Sequence, residues 1–232
     1  MRNKLLIEAV GTFFLCLAAA VASNPISVAA LLCALIYMGA PVSLAHYNPA
    51  VSLAFRLRGR VGTRVLGSYV GVQLGAALLA ALVAGFLLGH DAEHAKGAID
   101  ALGESAFAGF GATAVVELLG TFVLGFVILM VGTSRLTAGN SYFGLAIAAV
   151  VLGAAGTFGE FNPTMNPAVS LTSSLLGVSS ALADGLFGTK TFVTESLYLA
   201  KIAPRVLAEV AVQLAGASLA AWFFRRLFPE DR

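Results

Sequence analysis

Asn48 and Asn166 open the same unusual peptide, Tyr47-Asn48-Pro49-Ala50-Val51-Ser52-Leu53 and Met165-Asn166-Pro167-Ala168-Val169-Ser170-Leu171, each after a hydrophobic run. Pro is preorganised for the first position of a helix, and an Asn before it caps the exposed backbone N–H groups. Each copy therefore reads as a short helix starting abruptly at an Asn. The carboxylates that stand out are Glu8 and Glu117, placed within apolar runs in Glu8-Ala9-Val10-Gly11-Thr12-Phe13 and Glu117-Leu118-Leu119-Gly120-Thr121-Phe122. A carboxylate in a membrane helix is costly and is by default a functional group. It serves either as a proton relay or as an acceptor for backbone N–H groups. Cys16 and Cys33 fall in apolar runs, where a thiol acts as a small apolar group. His90 and His94 lie in a polar loop without a ligand set. The sequence offers no phosphate loop, no nucleophile with its base and no clustered metal ligands, which argues against an enzyme and against a metal or other cofactor.

Membrane-spanning helices must position these groups. The chain of 232 residues is 59% hydrophobic and 11% charged, with a mean hydropathy of +0.90, which places it in the membrane class. Six apolar stretches, about Leu5–Ala22, Ile26–Leu44, Val61–Leu88, Phe110–Gly132, Ser141–Phe158 and Val206–Phe228, approach or exceed the roughly 20 residues that cross a bilayer. Helices suit them, because every backbone polar group must be satisfied within lipid. The segments at 48–57 and 166–176 are too short to span and read as half-helices buried in protein. Arg2 and Lys4 before an apolar run imitate a signal peptide. Glu8 within that run argues against cleavage, and so does the return of the same pattern at Glu117.

The repeat extends through both halves. Glu8 matches Glu117, Asn48 matches Asn166, and Gln73-Leu74-Gly75-Ala76 resembles Gln213-Leu214-Ala215-Gly216-Ala217. The order is kept while the spacing grows, which puts an inserted loop at Gly177–Ala203, rich in Ser, Gly and Thr. The chain thus divides into a first repeat, 1–109, and a second, 110–232, with three spans each. An odd number of spans inverts the second repeat. Arg2, Lys4, Arg56, Arg58, Arg60, Arg64, Arg135, Arg225 and Arg226 then fall on one side, the cytoplasmic one by the positive-inside rule. Both termini share that side, so the expected location is the cell (inner) membrane. Asp91, Glu93, Asp100, Glu104, Glu160, Asp184 and Glu195 fall on the other side, with Lys96, Lys190, Lys201 and Arg205 among them. A net charge of +2 gives no reason to expect a nucleic-acid partner.

These residues, in this order along nearly the whole chain, resemble the aquaporins and glycerol facilitators, also called major intrinsic proteins. The resemblance implies an all-α membrane fold of six transmembrane helices and two half-helices in an inverted repeat, usually assembled as a homotetramer with one pore per monomer. It implies a pore centre of Asn48, Pro49, Ala50, Asn166, Pro167 and Ala168, where two half-helix N-termini meet and repel cations. The Asn amides would donate to passing oxygens, and the alternative is that they are plain caps. Glu8 and Glu117 would support the loops before each Asn-Pro-Ala. His46, in the first of those loops, would be a buried, satisfied histidine rather than a pH sensor or metal ligand.

The departure from the family lies at the filter. Where the family has Arg after the second Asn-Pro-Ala, this chain has Val169, and counting from the motifs assigns Val28, Ala154 and Pro163 to the other filter positions. All four are small and apolar, so a permeant would rely on backbone carbonyls near Ser43–Ala45 and Asn162–Thr164. Phe158, Glu160 or Phe161 could refill the space, and Leu44 replaces a common Gly. The expectation is a passive channel for water and small uncharged solutes such as glycerol or urea, with a strict water channel as the alternative. A secondary transporter and a non-conducting membrane protein are the contrasting classes.

Overall fold

The computed structural model describes residues 1–88, 109–176 and 192–231. Among these, the chain is helical: α1 (Arg2–Val21), α2 (Pro25–Ser43), α3 (Pro49–Leu57), α4 (Thr63–Leu88), α5 (Phe110–Thr133), α6 (Phe143–Phe158), α7 (Pro167–Leu176) and α8 (Phe192–Leu227). Short 3-10 turns follow at Arg135–Thr137, Gly159–Phe161 and Pro229–Asp231. Six helices are long and apolar enough to cross a membrane, and α3 and α7 are not.

The starts of the helices follow from local chemistry. Asn24 caps α2 by accepting from Ser27 N at 3.0 Å, with Pro25 at the first position. Asn48 caps α3 in the same way before Pro49, accepting from Ala50 N at 2.8 Å. A capped Asn-Pro start needs no preceding turn of helix, which lets α3 begin in the interior. Gly59, at φ +84, makes the turn from α3 towards α4.

Packing repeats between the halves. Helix α1 packs on α2 and α4, helix α5 on α6 and α8, and α2 meets α6 across the two halves. Small residues allow the close approaches, as expected where lipid supplies no hydrophobic drive between helices. Ala76, Ala77, Ala80, Ala81 and Ala84 of α4 are buried, as are Ala217, Ala220 and Ala221 of α8. A Cβ on Gly216 would stand 2.6 Å from the Leu118 carbonyl oxygen, so α8 can approach α5 only with glycine there. Large apolar residues such as Leu6, Phe14, Leu79, Leu82, Leu145, Leu207 and Trp222 face outward. That is the surface a bilayer requires of a bundle.

One end of the bundle collects arginines. Arg58 pairs with Asp231 at 3.8 Å, and Arg135 pairs with the same carboxylate at 3.3 Å. Arg60 Nη2 donates to Thr133 O at 2.7 Å, and Arg225 Nη1 to Leu57 O at 3.4 Å. The expected loop at 177–203 needs correction in part, because α8 begins at Phe192 and runs through Pro204. Helix-compatible residues such as Glu195, Leu197, Leu199, Ala200 and Lys201 outweigh the Ser and Thr content that suggested a loop. Residues 177–191 lie outside the described residues, as do His90, His94, Asp91, Glu93, Lys96, Asp100, Glu104, Asp184 and Lys190.

Candidate functional site

The two loops before the half-helices hold an unusual backbone. Leu44 (φ 74), Ala45 (φ 50), Tyr47 (φ 49), Asn162 (φ 46) and Met165 (φ 52) all occupy the left-handed region. Each such non-glycine residue is strained and persists only where its surroundings over-determine it. Glu8 supplies that support to the first loop. Its Oε1 accepts from Ser43 Oγ at 2.7 Å and His46 N at 2.9 Å, and its Oε2 from Tyr47 N at 2.8 Å and Gln73 Nε2 at 2.9 Å. Glu117 serves the second loop in matching fashion. Its Oε1 accepts from Thr164 N at 2.7 Å and Thr164 Oγ1 at 2.9 Å, and its Oε2 from Met165 N at 2.9 Å and Gln213 Nε2 at 3.1 Å. Both carboxylates are buried. Buried charge is sustained here by charge-assisted hydrogen bonds to fixed donors.

A second tier ties these brackets to the half-helices. Ser52 of α3 meets Gln73 Nε2 at 3.1 Å and His46 Nδ1 at 3.0 Å. Ser170 of α7 meets Gln213 Nε2 at 2.8 Å and Thr164 Oγ1 at 2.6 Å. His46 thus corresponds to Thr164. Its ring lies between Phe55, with centroids 4.2 Å apart, and Tyr69, at 5.1 Å.

The residue before each Asn is also fixed by a pocket that sequence reasoning missed. A Cβ on Gly11 or Gly39 would collide with the Tyr47 ring, and one on Gly120 would stand 2.9 Å from Met165 Sδ. The available signal was the repeated Glu-x-x-Gly, which puts the glycine one helical turn after the carboxylate. Ser43, Ser52, Thr164 and Ser170 were likewise missed as members of the brackets, and Gln73 and Gln213 served only as markers of the repeat. A further pair, Arg205 and Glu209 at 3.2 Å, lies in the spanning part of α8 and was not foreseen.

With both loops fixed, the half-helix starts meet. Asn48 Nδ2 donates to Met165 O at 2.8 Å, and Asn166 Nδ2 to Tyr47 O at 3.0 Å. Each side-chain oxygen caps its own helix, Asn48 Oδ1 to Ala50 N and Asn166 Oδ1 to Ala168 N. An amide has two N–H donors. One on each Asn is therefore spent on the partner loop, and one remains for a molecule in the adjoining space. Pro49, Ala50, Pro167 and Ala168 are buried behind the two amides.

That space is a cavity of about 400 Å³ with Asn48 and Asn166 on its wall. It extends from Asn24 and Gly159 to Phe55 and Gly132, next to the arginine-bearing end. Val28, Pro163 and Val169 line it, as does His46. Ala154 is buried in the core, and Ala155 and Val151 of α6 line the cavity instead. One residue turns a helix by about 100°, so a count taken across a connection of uncertain length can select the neighbouring face. Gly159 lines the cavity, while Phe158, Glu160 and Phe161 are not among its lining residues. His46 Nε2 is buried and has no hydrogen-bond partner among the described residues.

Comparison with known proteins agrees with this architecture. The fold is that of the X-ray structure of the aquaglyceroporin from Plasmodium falciparum, with a TM-score of 0.70 at 19% identity, covering 99% of this chain and 98% of that one. In sequence the chain is 32% identical to aquaporin NIP1-1 of Zea mays over 143 residues, 61% of this chain and 48% of the relative. It is 32% identical to aquaporin NIP1-2 of Arabidopsis thaliana over 165 residues, 65% of this chain and 56% of the relative. The chain spans about half the length of these curated relatives. The model of the major intrinsic protein family matches residues 4–181, which take in both Asn-Pro-Ala segments and both Glu8 and Glu117, and the chain belongs to that family.

Proposed function

We propose that this protein is a passive transmembrane channel for water and small uncharged solutes such as glycerol or urea, with an apolar filter in place of one containing Arg. The observation that carries the reading is that one cavity has on its wall both the free donors of Asn48 and Asn166 and Val28, Pro163 and Val169. The aquaporin names of the relatives support the channel class.

A neutral oxygen at the centre accepts from the two remaining amide N–H groups. The N-termini of α3 and α7 face it with their partial positive charges, which oppose a cation or hydronium. On the outer part of the path, Val169 adds neither charge nor donor. A permeant there depends on backbone carbonyls and on its own tolerance of an apolar wall. That favours a solute facilitator over a strict water channel.

A coupled transporter needs a group that changes charge or partner during the cycle. Glu8 and Glu117 are poor candidates, because both oxygens of each are engaged in holding a loop. We further propose a homotetramer in the inner membrane with both termini cytoplasmic, a reading supported by the arginines gathered at one end. The test is stopped-flow permeability of proteoliposomes to water, glycerol, urea and hydrogen peroxide. Non-saturating solute flux without ion dependence is expected. Saturable, ion-dependent uptake would favour a transporter, and flux no greater than that of empty liposomes would refute a channel.

A further inference from the structure

A second cavity, of about 350 Å³, opens on the outer face of the bundle at the arginine-bearing end, lined by Leu57, Ser218, Ala221, Trp222, Arg225 and Arg226. All of its residues but Leu57, the last of α3, lie on α8. Leu219, Trp222 and Arg226 recur at helical spacing as one exposed stripe, and Ser218 and Arg225 stand on the adjacent one. From Ser218 to Arg226 the helix advances about 12 Å, which spans the passage from hydrocarbon to headgroup depth.

We propose that this groove binds the headgroup of an anionic phospholipid in the leaflet on the arginine-bearing side. Arg225 and Arg226 are exposed, and no carboxylate lines the groove among the described residues. Arg225 reaches Leu57 O at 3.4 Å, so its guanidinium is held over the groove while most of its donors stay available. The Arg226 guanidinium lies 6.0 Å from the Trp222 ring centroid, which orients a second planar cation beside the first. Two guanidiniums match the oxygens of a phosphodiester. The apolar stripe of Leu219 and Trp222 continues from them in the direction an acyl chain takes, and this continuity selects a lipid rather than a free phosphate. Basic pockets at the membrane surface are suited to such headgroups.

Trp222 is the sole tryptophan of the chain, so its emission reports this groove alone. The protein is reconstituted in phosphatidylcholine vesicles carrying a small fraction of either brominated phosphatidylglycerol or brominated phosphatidylcholine, and quenching is compared. The expected result is quenching by the anionic lipid at about a tenfold lower mole fraction. Arg225→Gln and Arg226→Gln should each reduce that preference about fivefold, and the double variant should abolish it. Quenching by the neutral lipid stays unchanged in all three, which certifies the fold, and either single variant suffices if the double one does not assemble. Equal quenching by both lipids in the parent would overturn the proposal. Absence of quenching by either would show a second copy or another protein covering the face, and loss of the preference on adding millimolar inorganic phosphate would show a free-anion site. Both outcomes refute a lipid site.

Discussion

Replacing Asn48 by Asp keeps the size of the side chain and reverses the electrostatics of the centre. Each half-helix N-terminus carries about half a positive charge. With an effective dielectric constant of about 20 and a separation of about 5 Å, each repels a monovalent cation by roughly 1.7 kcal/mol, or about 3 kcal/mol for the pair. A carboxylate about 4 Å from the path attracts the same cation by about 4 kcal/mol. The balance then changes from opposing to mildly favouring entry, and a change of about 4 kcal/mol in a barrier corresponds to roughly a thousandfold in rate. The structure adds a second effect. An oxygen in place of Nδ2 would face Met165 O at the present 2.8 Å, so the side chain must turn away or take up a proton, at a stability cost of about 1–3 kcal/mol. The assay is cation and proton leak in proteoliposomes loaded with ion- and pH-sensitive dyes, beside water flux in the same preparation. Asn48→Ala removes the donor without adding charge and should leave the leak near the parent level. A folded Asn48→Asp protein that conducts neutral solutes and still excludes ions as the parent does would refute the electrostatic account.

Val169→Arg should lower the ratio of glycerol or urea permeability to water permeability by about tenfold or more, since it adds bulk and fixed donors to the cavity wall; an unchanged ratio in folded protein would remove Val169 from the filter. Glu8→Gln must turn an NH₂ group towards a backbone N–H, that of His46 or of Tyr47, whichever way the amide is placed, and should lower stability by about 2–4 kcal/mol, read as a fall in melting temperature on the order of 10 °C with a dye that reports exposure of Cys16; a shift within error would deny the bracket its role. The hydroxyl of Ser134, the backbone N–H of Arg135 and the guanidiniums of Arg58 and Arg135 hold the Asp231 carboxyl below the usual carboxylate range. Its contribution is therefore complete above the unfolded-state value and is lost only as pH falls through the lowered one, so hydrogen exchange should find the Arg135 amide protected at pH 5 in the parent and unprotected at any pH in Asp231→Ala, which removes the acceptor.

The geometry of the centre is legible in the sequence because it is local and repeated. An Asn-Pro pair after an apolar run determines a cap and a helix start without reference to the rest of the fold, and two copies in inverted repeats imply that the starts converge. Glu8 and Glu117 were legible for a related reason, since a carboxylate in an apolar run demands an explanation. Their partners were not, because Ser43, Thr164 and Ser170 are ordinary residues whose importance comes only from where the loop brings them. The glycines facing Tyr47 and Met165 were hidden similarly: Gly11 and Gly120 lie many residues before the rings or thioethers they accommodate. Ala154 shows the limit of counting along a helix, where an offset of one residue moves the prediction to Ala155 and onto the cavity wall. The start of α8 is hidden because 177–203 as a whole is rich in Ser, Gly and Thr, although the last part of that stretch continues the helix from Phe192.

The two halves share their scaffold residue by residue yet differ in what they present to the cavity, and the hydrogen bonds explain how that is sustained. Glu8 with Gln73 and Ser52, and Glu117 with Gln213 and Ser170, hold backbone N–H groups and hydroxyls. None of these contacts passes through Val28, Pro163 or Val169. Val169 follows the second Asn-Pro-Ala directly, but its side chain supplies only surface to the cavity and to the apolar core. His46 and Thr164 occupy equivalent places and each reaches the serine of its own half-helix, so an aromatic base and a small hydroxyl satisfy the same bracket. The geometry of the centre is thus over-determined, while Val28, Pro163 and Val169, the filter proposed above, take no part in the brackets that hold it. On the proposed reading, a change at Val169 should alter which molecules pass without disturbing the Asn48–Asn166 pair. The Val169→Arg variant should therefore combine a large change in solute selectivity with unaltered ion exclusion, whereas Glu8→Gln should weaken both together.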